Sequence, residues 1–229
     1  MTTDPTLALI RLLRLASPAL PVGAYSYSQG LETAVARGWV ADEASIGSWI
    51  EDALAFNLAQ FEAPILCRLH AAWTGDDLAV VATWNERFLA GRETAEFRAE
   101  TCQMGYALRG LFESTAEFPA ARLARLREVE SPTFPCAFAF AAVQWGIGVR
   151  DALSGYLFAW AENQVNAAMK TMRIGHVAAQ RILARISVRL PELVARATAL
   201  DDVAFSNFTP AMALASCLHE TQDSRMFRS

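Results

Sequence analysis

The uncharged run SPTFPCAFAFAAVQWGIGV, Ser131–Val149, decides how this chain is read. Beyond it, up to Met169, the only charges are Arg150, Asp151 and Glu162; then comes Lys170, the single lysine of the sequence. Such a segment has to bury itself in the protein core, in a bilayer or against another protein, because exposed apolar surface costs roughly 25 cal/mol per Å². Its length approaches the ~20 residues needed to cross a membrane. Against a span stand Ser131, Pro132, Thr133 and Pro135 at the start, Gln144, Gly146 and Gly148 near the end, and Arg150-Asp151 directly after. The expectation is a buried helix from Cys136 to about Gly148, then a longer one from Asp151 to about Met172.

Working outward, the flanking sequence reads as helices joined by loops, one of them Ala16–Ala24, bracketed by Pro18 and Pro21. Gly175 breaks the chain before a helix to Arg189, Pro191 opens a short one to Thr198, and 200–208 reads as loop. Thr209-Pro210 then starts a last helix to about Thr221. Toward the N-terminus, Pro119 opens a short basic helix to Val129, preceded by helices over Arg92–Phe112 and Asp77–Ala90. Asp42 precedes the clearest amphipathic stripe: Ile46, Trp49, Ile50, Ala53, Leu54, Leu58 and Phe61 recur at helical spacing, with Pro64 as a restart or kink. Ser26 is placed as the cap of a short helix ending at Arg37-Gly38. Asp4-Pro5 opens the first helix, with Leu9, Leu12 and Leu13 on its apolar face. No alternating β-branched run and no hairpin dipeptide is present. The expected fold is all-α: a single helical-bundle-like domain of roughly ten helices over 1–218, with a tail at 219–229.

The apolar fraction of 53% exceeds the usual ~45–50%. That excess implies either a large core or a core plus an apolar interface. The net charge of −4 nominates neither nucleic acid nor an acidic membrane as partner. Cys67, Cys102, Cys136 and Cys217 are scattered without zinc spacing. The opening Met1–Thr6 lacks the basic region of a signal peptide, so a cytoplasmic location is expected.

Searches for chemistry end in near-misses. Gly105 and Gly110 have the spacing of a phosphate loop, but Leu111-Phe112 stand where lysine and Ser/Thr are required. Ser26–Gly30 misses the first glycine of a nucleophile elbow. His219-Glu220 begins a zinc-helix pattern that fails at Asp223. No catalytic residue, metal ligand or cofactor is assigned. Lys170 lacks the carboxylate and histidine neighbours in sequence that would activate an amine, which favours a partner-binding charge over catalysis. The competing reading is a small all-α enzyme of haem-oxygenase-like type, which would need a polar cluster converging on a pocket between helices.

Three stretches resemble the urease accessory protein UreF family. They are Leu15–Glu32 (LASPALPVGAYSYSQGLE), Trp160–Lys170 (WAENQVNAAMK) with Gly175–Gln180 (GHVAAQ), and Ala215–Ser229 (ASCLHETQDSRMFRS). Their order and spacing fit across nearly the full length. Ala24 stands where the family usually has glycine, Arg173 where proline is common and His176 where glutamine is. In the tail, Cys217-Leu218 replaces Ala-Arg and Asp223 replaces Tyr.

The resemblance implies an all-helical, cytoplasmic, non-catalytic chaperone for nickel insertion into urease. It implies a homodimer that bridges the accessory protein UreD (also called UreH) and the GTPase UreG, regulates that GTPase, and acts on the urease apoprotein. Carried onto this sequence, the tail becomes the candidate docking element for UreD through His219, Glu220, Ser224, Arg225, Phe227 and Arg228. Tyr25, Ser26, Gln29, Glu32 and Lys170 become the candidate surface for UreG.

Overall fold

The uncharged run folds as a helix buried on every side. In the computed structural model, which describes residues 4–172 and 174–229, α8 spans Phe134–Gln144 and every side chain from Pro135 to Ala142 is inaccessible. A helix with no polar face belongs in the centre of a fold. Here it lies between α4 (Ala63–Thr74) and α6 (Ala95–Thr115). The Trp73 indole donates to the Cys136 carbonyl at 3.1 Å. Phe140 meets the rings of Trp73 and Phe118 edge to face at centroid distances of 5.1 and 5.3 Å, and Phe118 meets Phe112 in the same way at 5.0 Å.

The proline-rich entry is fixed by buried polar groups. Asn85 accepts from both the amide and the hydroxyl of Thr133 and donates to the Ser131 carbonyl, while the Phe134 amide donates to Thr101. Gly105 lets α6 approach this bend, since a β-carbon there would overlap the Pro132 carbonyl. α8 ends at Gln144, four residues before the expected Gly148, because Gly146 turns the chain with φ of 70°.

The remaining helices are α1 (Pro5–Leu15), α2 (Leu31–Ala36), α3 (Glu43–Ala53), α5 (Leu78–Ala90), α7 (Ala120–Arg127), α9 (Val149–Met172), α10 (His176–Ala199) and α11 (Pro210–His219). No strand occurs among the described residues, and the fold is all-α. Side-chain caps start several helices: Asp4 accepts from Thr6, Asp77 from Val80, and Thr94 from Phe97. Asp42 and Ser45 form a reciprocal capping box on α3. The long α9 packs along α10 and also touches α1, α2 and α4. No described helix is long and apolar enough to cross a membrane.

Four local expectations are corrected. The stripe from Ile46 to Phe61 does not stay α-helical: Leu54–Glu62 is a π-helix continuous with α3 and α4, and the wider winding buries seven side chains around nearly the whole circumference. Pro191 opens no new helix. It lies inside α10, where Ile186, Leu190, Leu193, Val194 and Ala197 remain buried on both sides of it, so packing outweighs the lost backbone bond. Ser26 caps nothing; it ends a 3-10 turn at Ala24–Ser26, and α2 begins after Gly30 with φ of 82°. On α1, Leu9 and Leu13 are 55% and 62% exposed, and it is Leu12 and Leu15 that pack inward. Arg173 lies outside the described residues.

Candidate functional site

The two ends of the chain and the middle of α9 come together in one place. α2 packs on α11, and Gly30 permits it: a β-carbon there would press on Ala215 and the Ser216 backbone. After α11 the chain folds back as a strap, residues 220–229, over the loop that carries Ser26 to Gly30. The Arg228 amide donates to the Ser26 carbonyl, and the Ser28 amide and hydroxyl both donate to the Ser229 carbonyl oxygen at 2.8 and 2.6 Å.

Glu32 anchors the strap. Its carboxylate accepts from the Met226 and Phe227 amides at 2.7 and 3.0 Å and from His219 Nε2 at 3.2 Å. The opposite ring nitrogen, Nδ1, faces both oxygens of Glu96, 2.9 Å from the nearer, and Arg225 reaches the same carboxylate at 3.3 Å. His219 is completely buried between these two acids. Both of its bonds are made only when both ring nitrogens carry hydrogen.

Lys170 closes the outer side. Its ammonium lies 5.8 Å from the Tyr25 ring centroid and 5.5 Å from that of Phe227, so one cation touches the N-terminal loop, α9 and the strap. Tyr25, Lys170, Glu220, Ser224, Arg225, Met226 and Arg228 are exposed, and Ser26 is half-buried. Gln29, His219 and Phe227 are buried and Glu32 is largely covered; in the isolated chain they hold this face together from beneath.

Below the face lies a polar layer that sequence reasoning missed. Glu100 on α6 accepts from Gln29 at 2.7 Å and from the Ser229 hydroxyl at 3.1 Å, and Gln29 in turn accepts from the Trp160 indole at 2.8 Å. Deeper still, Glu62 pairs with Arg92 and accepts from the Tyr156 hydroxyl. Burial, reinforced by Glu62, pushes Glu100 up to about 7 and holds Tyr156 well above its ordinary range. The missed acids had a readable signal: Glu96, Glu100 and Gln103 follow i, i+4, i+7 on α6, a polar stripe on a helix with a buried face.

These groups converge on a cleft of about 430 Å³, walled by Leu15, Phe88, Met104 and Phe138 and floored by Glu62, Arg92 and Glu100. The alternative enzyme reading asked for such convergence. Each acid of the floor is, however, engaged by side chains of the protein itself, Glu62 by Arg92 and Tyr156 and Glu100 by Gln29 and Ser229, and among the described residues no other serine, and no histidine or cysteine, is hydrogen-bonded to either acid. His70 bonds the Ile147 carbonyl and His176 is exposed. Among the described residues no group of three or more His, Cys, Asp or Glu side chains is arranged to hold a metal.

Comparison with known proteins gives a consistent result. Residues 40–187 match the UreF family model. The urease accessory protein UreF of Azoarcus sp. (strain BH72) is 53% identical over 235 residues, covering 100% of both chains. Its counterpart in Dechloromonas aromatica (strain RCB) is 47% identical, covering 97% of this chain and 98% of its own. That of Chromohalobacter salexigens is 42% identical with full coverage of both.

Proposed function

Since the chain belongs to the UreF family of urease accessory proteins, we propose that it acts without catalysis, as a binding scaffold in nickel insertion into urease. In this reading it works as a homodimer in the cytoplasm, joins UreD to the GTPase UreG, regulates that GTPase and serves the urease apoprotein. The observation that carries the proposal is the Tyr25–Lys170–Phe227 contact, which makes a single surface out of three stretches far apart in sequence.

The chemistry of that surface suits protein recognition. Tyrosine, arginine and a cation held against aromatic rings dominate interface energies, and a strap fixed by Glu32 presents them preorganised. The exposed Tyr25, Ser26 and Lys170 form the side proposed for UreG. The strap's outer face, Glu220, Ser224, Arg225 and Arg228, forms the side proposed for UreD. Gln29, Glu32, His219 and Phe227 contribute to both by positioning the strap against the loop. A partner that reads one side therefore senses whether the other is in place.

The test is co-purification with UreD and UreG, followed by nickel-dependent activation of urease apoprotein. Lys170→Ala should leave the UreD complex intact and weaken UreG capture, while the melting temperature stays unchanged. Undiminished capture of UreG would remove Lys170 from the interface.

A further inference from the structure

Glu100 occupies an unusual position for an acid. It is 6% exposed, and the last turn of the strap covers it: Ser229, itself inaccessible, places its hydroxyl on Oε2 while Gln29 donates to Oε1. The charged and titratable groups facing it come from every neighbouring element. Glu62 on the π-helix and Arg92 in the α5–α6 connection are paired with each other, Arg92 favouring the ionised form of Glu100 and Glu62 opposing it. Tyr156 on α9 donates to Glu62 rather than to Glu100. Tyr27 on the N-terminal loop donates to Gln103 at 2.6 Å, beside Arg228 of the strap. One turn earlier on α6, Glu96 is taken up by His219 and Arg225. Glu100 thus has no ion-pair partner of its own.

Protonation costs it no hydrogen bond. The Gln29 amide donates to Oε1 in either state, and the Ser229 hydroxyl donates to a carboxylate or accepts from a carboxylic acid. Only the charge changes, and a buried unpaired charge is disfavoured unless water reaches it. Water reaches Oε2 when Ser229 leaves.

We propose that Glu100 is a proton-controlled catch for the C-terminal strap: the strap docks over the neutral acid and is loosened when the acid ionises. The device converts a modest rise in pH into release of the strap from the Ser26–Gly30 loop. It concerns the chain alone and holds whichever partner meets the surface. The elevated position of this acid, about 7, sets the upper end of the responsive range near neutrality. A hydrated Glu100 in the open state would ionise at lower pH, so acidification favours the closed strap by linkage.

Hydrogen exchange reads the strap directly, because the Phe227 and Arg228 amides are bonded to Glu32 and Ser26 only when it is docked. After correction for intrinsic exchange, their protection in the wild-type chain should fall roughly fivefold or more from pH 5.5 to 7.5, within the tenfold-per-unit ceiling of one-proton linkage. Glu100→Gln, neutral at every pH, should lose that part of the dependence. An equal pH dependence in Glu100→Gln, or none in the wild type, would overturn the proposal. A second measurement does not depend on that variant folding. Carbon-13 NMR of the Glu100 carboxyl should give a midpoint near 7 in the wild type and a lower one in Glu32→Ala, where the strap loses its anchor. An unchanged midpoint would show that the strap and the proton are uncoupled.

Discussion

Removing the Glu32 carboxylate should undock the strap while leaving the helical body folded. Glu32→Ala takes away the acceptor of the Met226 and Phe227 amides and the partner of His219 Nε2. The two amides find water once the strap peels off, so each loss is a modest one, about 1 kcal/mol. The ring nitrogen of His219 stays enclosed whether or not the strap is docked, so its lost partner costs the helical body about 1–3 kcal/mol and leaves the docking equilibrium untouched. The two amide bonds weaken docking by about 2 kcal/mol, on the order of thirtyfold in the closed-to-open ratio. Amide exchange at Phe227 and Arg228 reports that ratio, while the amides of α8 serve as an internal control for the core. Protection at Phe227 within threefold of wild type would refute the assignment of Glu32 as the anchor.

Other perturbations test the layers beneath. Gly105→Ala should drive a methyl group into the Pro132 carbonyl and cost about 1–3 kcal/mol in a chemical denaturation experiment; a neutral result would mean that the Ser131–Pro135 bend can move. Arg92→Ala leaves the Glu62 carboxylate, 3% exposed, with only the Tyr156 hydroxyl, and should cost about 3–5 kcal/mol; a loss below 1 kcal/mol would contradict a buried ion pair. Glu100 is raised from 4.5 in the unfolded chain to about 7 in the folded one, so the folded state holds its proton more tightly. Its contribution to stability is full below pH 4.5 and is lost as pH rises through 7, amounting to about 3 kcal/mol. Glu100→Gln should flatten that part of the stability–pH profile measured by urea unfolding between pH 5 and 8, and an unaltered slope would exclude Glu100 as its source.

Much of this fold is legible in the residues themselves. α8 is apolar on every face and can only be central, and Asp4, Asp42 and Asp77 mark helix starts through side-chain chemistry that acts within three residues. What is not legible depends on distant partners. Pro191 carries a stop signal that packing along α10 overrides. The stripe from Ile46 to Phe61 is satisfied by α and π winding alike, and only the neighbours that enclose Leu54–Glu62 select the wider one. On α1, α9 receives Leu12 at Gly155 and leaves Leu9 and Leu13 outside.

The site divides in the same way. Its three stretches are visible as motifs, but that they form one surface depends on Glu32 meeting residues 194 and 195 positions further along the chain. The acids that support it, Glu96 and Glu100, left only a polar stripe on α6. The histidine expected on the surface, His219, is drawn inward because two carboxylates flank it.

The most direct measurement is the affinity of UreG for this chain in complex with UreD, determined by titration for the wild type, Lys170→Ala and Glu32→Ala. If a strap-supported surface around Lys170 recruits the GTPase, both variants bind UreG at least tenfold more weakly, although only Glu32→Ala changes exchange at Phe227 by more than about fivefold. Wild-type affinity in both variants would contradict the account.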